Sequence, residues 1–354
     1  MSLEIQPGRR VRASLGASPK KVRVAVVGAG DFGRNHVRVY RELADAELVG
    51  IVDSSAARAA QVAAEFSTKT IPDIESLAGL VDAASVAVPT VEHARVGCRL
   101  LELGIDVLVE KPMAASLAEA DELLAAASRA ECILQVGHLE RFNPAIVAVM
   151  PVLNRPLFFE VHRLGVFTPR SLDIDVVYDV MIHDLDILLA LVGAPVVDIK
   201  AIGIPVLTDK VDIAHARLDF ATGAVANITA SRVSTERVRK LRFFQQHEYI
   251  SVDFTRQDAL RVRVAEPGLQ SGGLQVEPAP EPKFDFAALP AQREEPLRAE
   301  LRAFLESVRT RRAPAVDGAA GRRALALADE VMAGILEHGR RVQLGAFAVP
   351  QANR

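Results

Sequence analysis

The hydrophobic pattern from Val22 onward alternates between short apolar runs and amphipathic segments. Apolar runs of this kind predict strands buried on both faces of a parallel sheet, and the segments between them have the period of a helix. The predicted strands are 22–27, 48–52, 84–88, 106–109 and 132–136, and the predicted helices are 32–43, 55–66, 91–103 and 117–129. This alternation indicates an α/β fold with a doubly wound parallel sheet.

The pattern changes after Gly137. A predicted helix over 176–192 ends at Gly193, and strands then follow one another without intervening helices, which predicts an α+β region with a mostly antiparallel sheet. These strands are 196–204, 211–220, 224–231, 239–245, 249–254 and 260–264, with residues 221–223 as a hairpin turn. The segment 266–282, rich in Pro and Gly, is predicted to be a loop or edge segment, and helices over 296–309 and 322–337 close the chain.

Composition and charge narrow the class of protein. The net charge of -3 argues against nucleic acid or an anionic membrane surface as partner, and we expect neither. No apolar run approaches the length of a membrane span, about 20 residues. The two cysteines, Cys98 and Cys132, form no C-x-x-C pair, so we expect buried thiols and a reducing, cytoplasmic location.

A glycine-rich turn joins the first predicted strand to the first predicted helix. Gly28, Gly30 and Gly33 have the spacing at which a tight turn lets a pyrophosphate approach the N-terminus of a helix. The neighbouring Asp31 and Phe32 are predicted to contact the same cofactor. Asp53 ends the second predicted strand, where a carboxylate binds the ribose hydroxyls of a dinucleotide.

The turn predicts a Rossmann dinucleotide-binding domain. We expect NAD rather than NADP, because the Asp53 carboxylate would repel a 2′-phosphate; the nearby Arg58 is the feature that speaks for NADP. The predicted organisation is a flexible N-terminal segment over 1–20, an NAD-binding domain over 21–138 and a substrate-binding and oligomerisation domain over 139–345, which includes the C-terminal helices.

Candidate catalytic residues occur in both halves of the chain. Lys111 comes at the end of the predicted strand 106–109, where ligands bind in open parallel sheets. Asp179 and His183 are four residues apart on the predicted helix 176–192, and Asp186 is three further on, so they would share one face. A metal site built from these three is conceivable, but we expect none.

The motifs Glu110-Lys111-Pro112 and Val88-Pro89-Thr90-Val91-Glu92-His93 resemble the Gfo/Idh/MocA oxidoreductases, and the likeness extends from Val22 to the last helix. The resemblance implies an NAD(P)-dependent dehydrogenase acting on a secondary alcohol. His183 would be the general base, Lys111 would stabilise the charge on the oxygen or act as the base itself, and Asp179 would hold His183 or the substrate. It also implies that the two motifs bind the cofactor through Val88, Pro89, Thr90, His93, Glu110 and Lys111.

The stretch from Gly137 to Pro144, together with 239–244 and 249–253, resembles the branch of the family that oxidises UDP-N-acetylglucosamine at its 3-position for lipid A synthesis. A nucleotide-sugar substrate would place Arg141, Asn143 and Arg163 at its polar groups, although the same residues could serve interdomain packing. Many family members have glycine where this chain has Met181, and the larger side chain would narrow the pocket.

Two alternatives remain open at the level of the sequence. The first is a dehydrogenase of free inositol or hexose from the same family. The second is a sensor that binds the dinucleotide without turnover, which would have no need for Lys111, Asp179 and His183 together. We also expect a homodimer or homotetramer, because the open face of an antiparallel sheet such as 211–231 is suited to subunit pairing.

Overall fold

A computed structural model of the protein describes residues 21–168, 174–264 and 284–343. The first part of the chain forms a five-stranded parallel sheet in the order β2-β1-β3-β4-β5. Its strands are β1 (Val22–Val27), β2 (Ala46–Val52), β3 (Ala83–Val86), β4 (Asp106–Glu110) and β5 (Leu134–Gly137). Strands β3, β4 and β5 are buried along their whole length, as strands covered on both faces must be.

Helices cover both faces of this sheet, which confirms the predicted doubly wound architecture. They are α1 (Asp31–Glu42), α2 (Ala56–Glu65), α3 (His93–Glu102) and α4 (Leu117–Ala130). Apolar residues of α1 and α2 pack on one face, and apolar residues of α3 and α4 pack on the other. The strand order reverses between β1 and β3, so a crevice for a ligand opens where their carboxyl ends diverge.

The second part forms an eight-stranded sheet in the order β13-β12-β11-β10-β6-β9-β8-β7. All neighbours are antiparallel except β6 and β9, which confirms the predicted mostly antiparallel sheet. The predicted hairpin turn joins β8 to β9, where Gly223 has a φ of +84°. The strands are β6 (Phe158–Val166), β7 (Val196–Ile204), β8 (Ile213–Phe220), β9 (Val225–Ser234), β10 (Val238–Gln245), β11 (Glu248–Asp253), β12 (Asp258–Val264) and β13 (Phe284–Leu289).

One face of the second sheet is covered by helices α5 (Pro144–Val149), α6 (Ile182–Val192) and α8 (Gly318–Arg341). Alternating side chains of β6, β8 and β9 bury themselves under these helices, and the intervening ones lie on an open face. Helix α6 is preceded by a π-helical turn over Val177–Met181. Such wide turns are rare and recur at functional sites.

The last two helices connect the two sheets. Helix α7 (Pro296–Thr310) packs Leu301 and Phe304 into the core of the first sheet, although the sequence grouped it with the second domain. Helix α8 contributes Leu325 to the first core and Val331 to the second. The domain limits 21–138 and 139–345 stay predictions, but the packing of α7 does not follow them.

The predicted flexible segment over 1–20 and the predicted loop over 266–282 lie outside the described residues, the latter within the gap between 264 and 284. In the three described ranges, no helix is long and apolar enough to cross a membrane.

Candidate active site

The glycine turn has the geometry that close backbone packing requires. Gly28 has a φ of +100°, and a Cβ there would lie 2.4 Å from the carbonyl oxygen of Ala87. A Cβ on Gly33 would lie 1.8 Å from the carbonyl oxygen of Gly28. Gly30 differs, since its Cβ would meet no described atom within 4 Å. Gly28 and Gly33 are therefore required by the fold, whereas Gly30 leaves space for a ligand.

A groove of about 840 Å³ runs over this turn, along the carboxyl ends of β1 and β2. Gly30 caps α1 without any side-chain hydrogen bond, so the N–H groups of the first turn are available to an anion. Diphosphate binding at the start of α1 fits this arrangement. The groove is lined by Gly28, Gly30, Asp31, Phe32, Asp53, Arg58, Val88 and Pro89, among others.

Asp53 lies in this groove but is already fully bonded to the protein. Its carboxylate accepts from the backbone N–H of Ala29 at 2.6 Å and of Ser55 at 2.7 Å. Arg58 binds the same carboxylate through Nε at 3.1 Å and Nη2 at 2.8 Å. Although burial acts to raise it, these donors hold the pKa of Asp53 below its ordinary value. A ribose hydroxyl can donate to Asp53 only if it replaces one or more of these N–H donors.

A second cavity of about 510 Å³ continues the groove over β4. It shares Phe32, Val88 and Pro89 with the groove and adds Thr90, His93, Glu110, Lys111 and Asp179. The two spaces together have the elongated form that a dinucleotide needs, with the second at the end where the reactive ring would lie. The predicted cofactor residues are thus brought to one continuous surface, with differing exposure.

Lys111 is the cationic group of the second cavity. Its Nζ donates to the backbone oxygen of Asp179 at 2.6 Å and to Oδ1 of the same residue at 3.2 Å. The π-helical turn carries Asp179 towards β4, and the described hydrogen bonds of its side chain go to Lys111 rather than to His183. An ammonium group has three donors, so one remains for a ligand.

Two buried residues, His93 and Glu110, border the second cavity. His93 is buried, with Nδ1 2.9 Å from the carbonyl oxygen of Pro112 and Nε2 2.9 Å from that of Val88, so it joins the two loops and has no nitrogen left for a cofactor. The predicted contact of His93 with the cofactor would therefore be made by its ring face, which borders the cavity. Glu110 is also buried and is bound by His36 Nε2 at 2.9 Å.

His183 stands at the start of α6 and is partly exposed, while its Nδ1 is buried without a partner among the described residues. Burial, followed by the nearby cations Lys111 and Arg163, lowers its pKa well below the ordinary value. A neutral imidazole at neutral pH is the form that can accept a proton. Met181, in contrast, is buried in the core of the second sheet and does not narrow the cavity as expected.

The three predicted substrate residues lie in different surroundings. Arg163 is buried and binds Asp184 through Nε at 2.8 Å and Glu140 through Nη1 at 2.8 Å. Asn143 is buried and caps α5 through the N–H of Ala145. The polar atoms of Arg163 and Asn143 are thus occupied in the interior, and a substrate could reach them only if some of these hydrogen bonds opened. Arg141 is partly exposed and pairs with Asp186 at 3.3 Å.

Sequence reasoning missed three buried polar residues near the site: His36, His138 and Glu300. His138 belongs to the same stretch as Arg141, but a lone histidine after a strand gives no signal of its own. Glu300 and His36 are held near β4 by packing between distant segments, which no local pattern reveals. Among the described residues, no group of His, Cys, Asp and Glu forms a metal site.

Comparison with known proteins agrees with this geometry. Residues 22–138 match the family described as GFO_IDH_MocA, an oxidoreductase family with an NAD-binding Rossmann fold, and residues 162–250 match the GFO/IDH/MocA C-terminal domain. The chain is 38% identical over 313 residues to the UDP-N-acetylglucosamine 3-dehydrogenase of Acidithiobacillus ferrooxidans, covering 88% of this chain and 96% of that protein.

The solved structure of the Acidithiobacillus ferrooxidans enzyme superposes with a TM-score of 0.81 at 37% identity, covering 89% of this chain and 97% of that one. An inositol 2-dehydrogenase of Rhizobium meliloti is 29% identical over 232 residues, which is 60% of this chain and 70% of that protein. The glycine turn and the position of Lys111 agree with the two family models that match this sequence. This chain therefore belongs to the Gfo/Idh/MocA family of NAD-binding oxidoreductases.

Proposed function

We propose that the protein oxidises a secondary hydroxyl of a nucleotide sugar, with UDP-N-acetylglucosamine as the substrate and its 3-hydroxyl as the reacting group. The observation that carries this proposal is the contact of Lys111, which follows β4, with Asp179, on the turn before α6, in the cavity that continues the cofactor groove. His183 follows Asp179 by one helical turn and is close enough to Lys111 for the ammonium to act on its pKa. A likeness of 38% over nearly the whole length of a UDP-N-acetylglucosamine 3-dehydrogenase supports the choice of substrate.

The residues present fit NAD. The start of α1 and the open space at Gly30 would hold the diphosphate, Asp53 the ribose nearest the adenine, and the walls formed by Val88, Pro89 and Lys111 the nicotinamide. When bound, NAD accepts the hydride from the substrate carbon; the protein supplies placement and charge.

In this proposal His183 and Lys111 have different roles at the substrate hydroxyl. His183 is the general base, because the surrounding cations and burial keep it neutral. Lys111 donates its remaining N–H to the same oxygen and stabilises the developing charge. Asp179 is a positioning residue, since its oxygens hold the Lys111 ammonium at 2.6 and 3.2 Å.

The test is a screen of nucleotide sugars, free inositols and free hexoses, scored by the absorbance of reduced nicotinamide. Turnover of UDP-N-acetylglucosamine supports the proposal. Turnover of inositol or hexose alone would assign the free-polyol reaction instead, and turnover of none would favour a dinucleotide sensor. His183→Gln is expected to lower turnover by roughly 10²–10⁴-fold while NAD still binds.

The product would be a 3-keto nucleotide sugar, which an aminotransferase can convert to an amino sugar of the kind used in lipid A. We propose a cytoplasmic location, consistent with the free thiols of Cys98 and Cys132.

We also propose that two copies pair through the open face of the second sheet. Aromatic side chains form a stripe across neighbouring strands, with Phe158 and Phe244 5.7 Å apart and Phe244 and Tyr249 5.1 Å apart between ring centroids. The register continues the stripe through Val262 to Phe286, which is 67% exposed. Exposed apolar stripes of this kind suit a self-complementary interface. Phe244→Glu should shift the mass measured by light scattering to that of a monomer; an unchanged mass would contradict the pairing.

A further inference from the structure

A second buried histidine, His138, lies behind His183, and the mechanism above does not use it. His138 is 1% exposed, and neither of its ring nitrogens has a partner within the described chain. Its ring meets that of His183 edge to face, with centroids 6.3 Å apart and planes at 89°. Leaving a buried polar atom unpaired destabilises the folded state, because the atom has lost its hydrogen bonds to water. Two such atoms on one ring beside the proposed base call for an explanation.

The unpaired atoms continue beyond His138. In the described ranges they include Nδ1 of His183 and Oδ2 of Asp186. Asp186 follows His183 by one turn of α6, and its other oxygen accepts from Arg141 at 3.3 Å. After burial, which lowers the pKa of His138, the carboxylate of Asp186 has the largest effect on that pKa and raises it. Unpaired buried polar atoms are therefore present on His183, His138 and Asp186 alike.

Asp186 also lines a separate opening. A cavity of about 160 Å³ is bounded by Arg141, Asp186, Asp317 and Arg323, and Arg323 is exposed at the surface. Among its described lining residues, none belongs to the cofactor groove or to the cavity of Lys111. Water can thus reach Asp186 without passing through the cleft that the cofactor and substrate would fill.

We propose that His138 and Asp186 conduct the proton released by the substrate from His183 to this rear cavity. The proposal rests on the proposed function, since the proton comes from the oxidised hydroxyl. The substrate O–H bond breaks and an N–H bond forms at the accessible Nε2 of His183. The Nδ1–H bond of His183 then breaks, and the proton passes to His138, to Oδ2 of Asp186 and to water.

In each turnover His183 takes one proton from the substrate and one proton is released to water, while the hydride is transferred to the nicotinamide. His183 ends with its proton on Nε2 rather than Nδ1, and exchange with water resets it when the product leaves and Nε2 is open again. The two rings are not hydrogen-bonded to each other, and their separation of 6.3 Å between centroids matches transfer across one bridging water.

The charges around the path are arranged to move a proton outward. His183 faces Lys111, Arg163 and Arg239, and these cations, with burial and His138, disfavour an imidazolium there. At the other end, Asp186 lies near the buried carboxyl group of Glu300, both of whose oxygens are unpaired in the described chain.

His138 is influenced by charges at both ends of the proposed path. Burial and the cations Lys111 and Arg141 disfavour its charged form, whereas Asp186 and Glu110 favour it. Burial prevails and lowers the pKa of His138, so a proton on this ring is held only transiently, which is what a proton carrier needs.

The test follows a single turnover by stopped flow in weak buffer, with reduced nicotinamide and a pH-indicator dye recorded together. In the wild type, the proton should appear in step with the hydride. In His138→Phe, the hydride should still be transferred, but the proton should appear about 10-fold later or more, with product release. Simultaneous appearance in His138→Phe would overturn the proposal. Asp186→Asn provides a second block of the same path.

His338→Phe is the matched control. His338 also has a buried, unpaired Nδ1 within the described residues, but it lies on α8 about 22 Å along the helix from Arg323. We expect no delay between the two signals in this variant. A delay there equal to that in His138→Phe would show a general effect of histidine loss and would overturn the path.

A second readout needs no turnover and separates failure of this proposal from failure of the proposed function. In protein labelled with ¹⁵N-histidine, the Nδ1 proton of His183 should exchange with water too fast for detection in the wild type. It should become visible in His138→Phe and in Asp186→Asn. Equal visibility in the wild type and both variants would refute the path even if no sugar is oxidised.

Discussion

Replacing Arg163 by methionine tests whether this residue holds the fold together or holds the substrate. Its side chain is 6% exposed, and its guanidinium binds both oxygens of Asp184 at 2.8 and 2.7 Å and Glu140 at 2.8 Å. The same guanidinium lies 4.9 Å above the ring of Phe254. The Arg163→Met variant would leave two carboxylates in the interior without their cation.

The expected loss of stability follows from that arrangement. Removing one partner of a buried ion pair costs about 3–5 kcal/mol, because the remaining charge stays desolvated. For a domain of roughly 150–250 residues, 1 kcal/mol lowers the melting temperature by about 2–4 °C. We therefore expect Arg163→Met to lower the melting temperature by roughly 6–20 °C at pH 7.

The loss should depend on pH with a definite sign. Burial raises the pKa of Asp184, and Arg163 opposes that rise in the wild type. Without Arg163 the native pKa rises further above its unfolded value, so the native variant binds a proton that the unfolded chain does not. Its stability then increases as the pH falls towards the unfolded pKa of about 4. The difference from the wild type should shrink between pH 7 and pH 5.

The assay is thermal unfolding followed by far-ultraviolet circular dichroism, with KM measured for the nucleotide sugar. Arg239→Met is the control, because its side chain is 46% exposed and lies 3.9 Å from Glu140. It should cost no more than about 1 kcal/mol. Adding Asp184→Asn to Arg163→Met should restore part of the stability. An unchanged melting temperature with a raised KM in Arg163→Met would refute this reasoning and return Arg163 to the substrate.

Three further changes probe the cleft. Gly30→Ala should leave the melting temperature of the cofactor-free protein unchanged, because the new Cβ would meet no described atom. The same Cβ would occupy space proposed for the diphosphate, so NAD affinity measured by calorimetry should fall about 10-fold or more. An equal affinity would place the diphosphate elsewhere. Arg58→Ala should raise the ratio of kcat/KM for NAD over NADP about 10-fold, because it frees Asp53; a fall in that ratio would contradict this role. Since burial and cations depress the pKa of His183, the base stays neutral as pH falls, and the acid limb of kcat/KM should lie below about 6.5; a limb above 7 would exclude His183 as the base.

The sequence predicted the fold well because both sheets have strong local patterns. Strand β1, the glycine turn and α1 follow one another in a way that local rules specify, and the parallel order follows from alternating strands and helices. Helix α7 shows the limit, since its apolar face fits either sheet. Only the contact of Phe304 and Leu301 with the first core decides between them.

The candidate site was predicted less completely, for a physical reason. Lys111, Asp179 and His183 carry motif signals, and the structure places Lys111 and Asp179 in one cavity. Arg163 and Asn143 also looked suited to a polar ligand, but a buried arginine and a surface arginine are alike in a sequence. Only the positions of Asp184 and Glu140, which lie elsewhere in the chain, show that the charge of Arg163 is already neutralised.

The glycine turn and Lys111 are also connected through buried contacts. His36 is on the same helix, α1, whose N-terminus would hold the diphosphate, and its Nε2 binds Glu110 at 2.9 Å. Glu110 in turn accepts from the backbone N–H of Lys111 at 3.3 Å and leaves no room for a side chain at Gly137, where a Cβ would lie 2.9 Å from its carboxyl carbon. Buried contacts thus connect α1 to the backbone of Lys111, and a displacement of α1 would be transmitted along them. The glycine turn and Lys111 act as two ends of one packed unit, so a change that loosens α1 should disturb the chemistry as well as the binding.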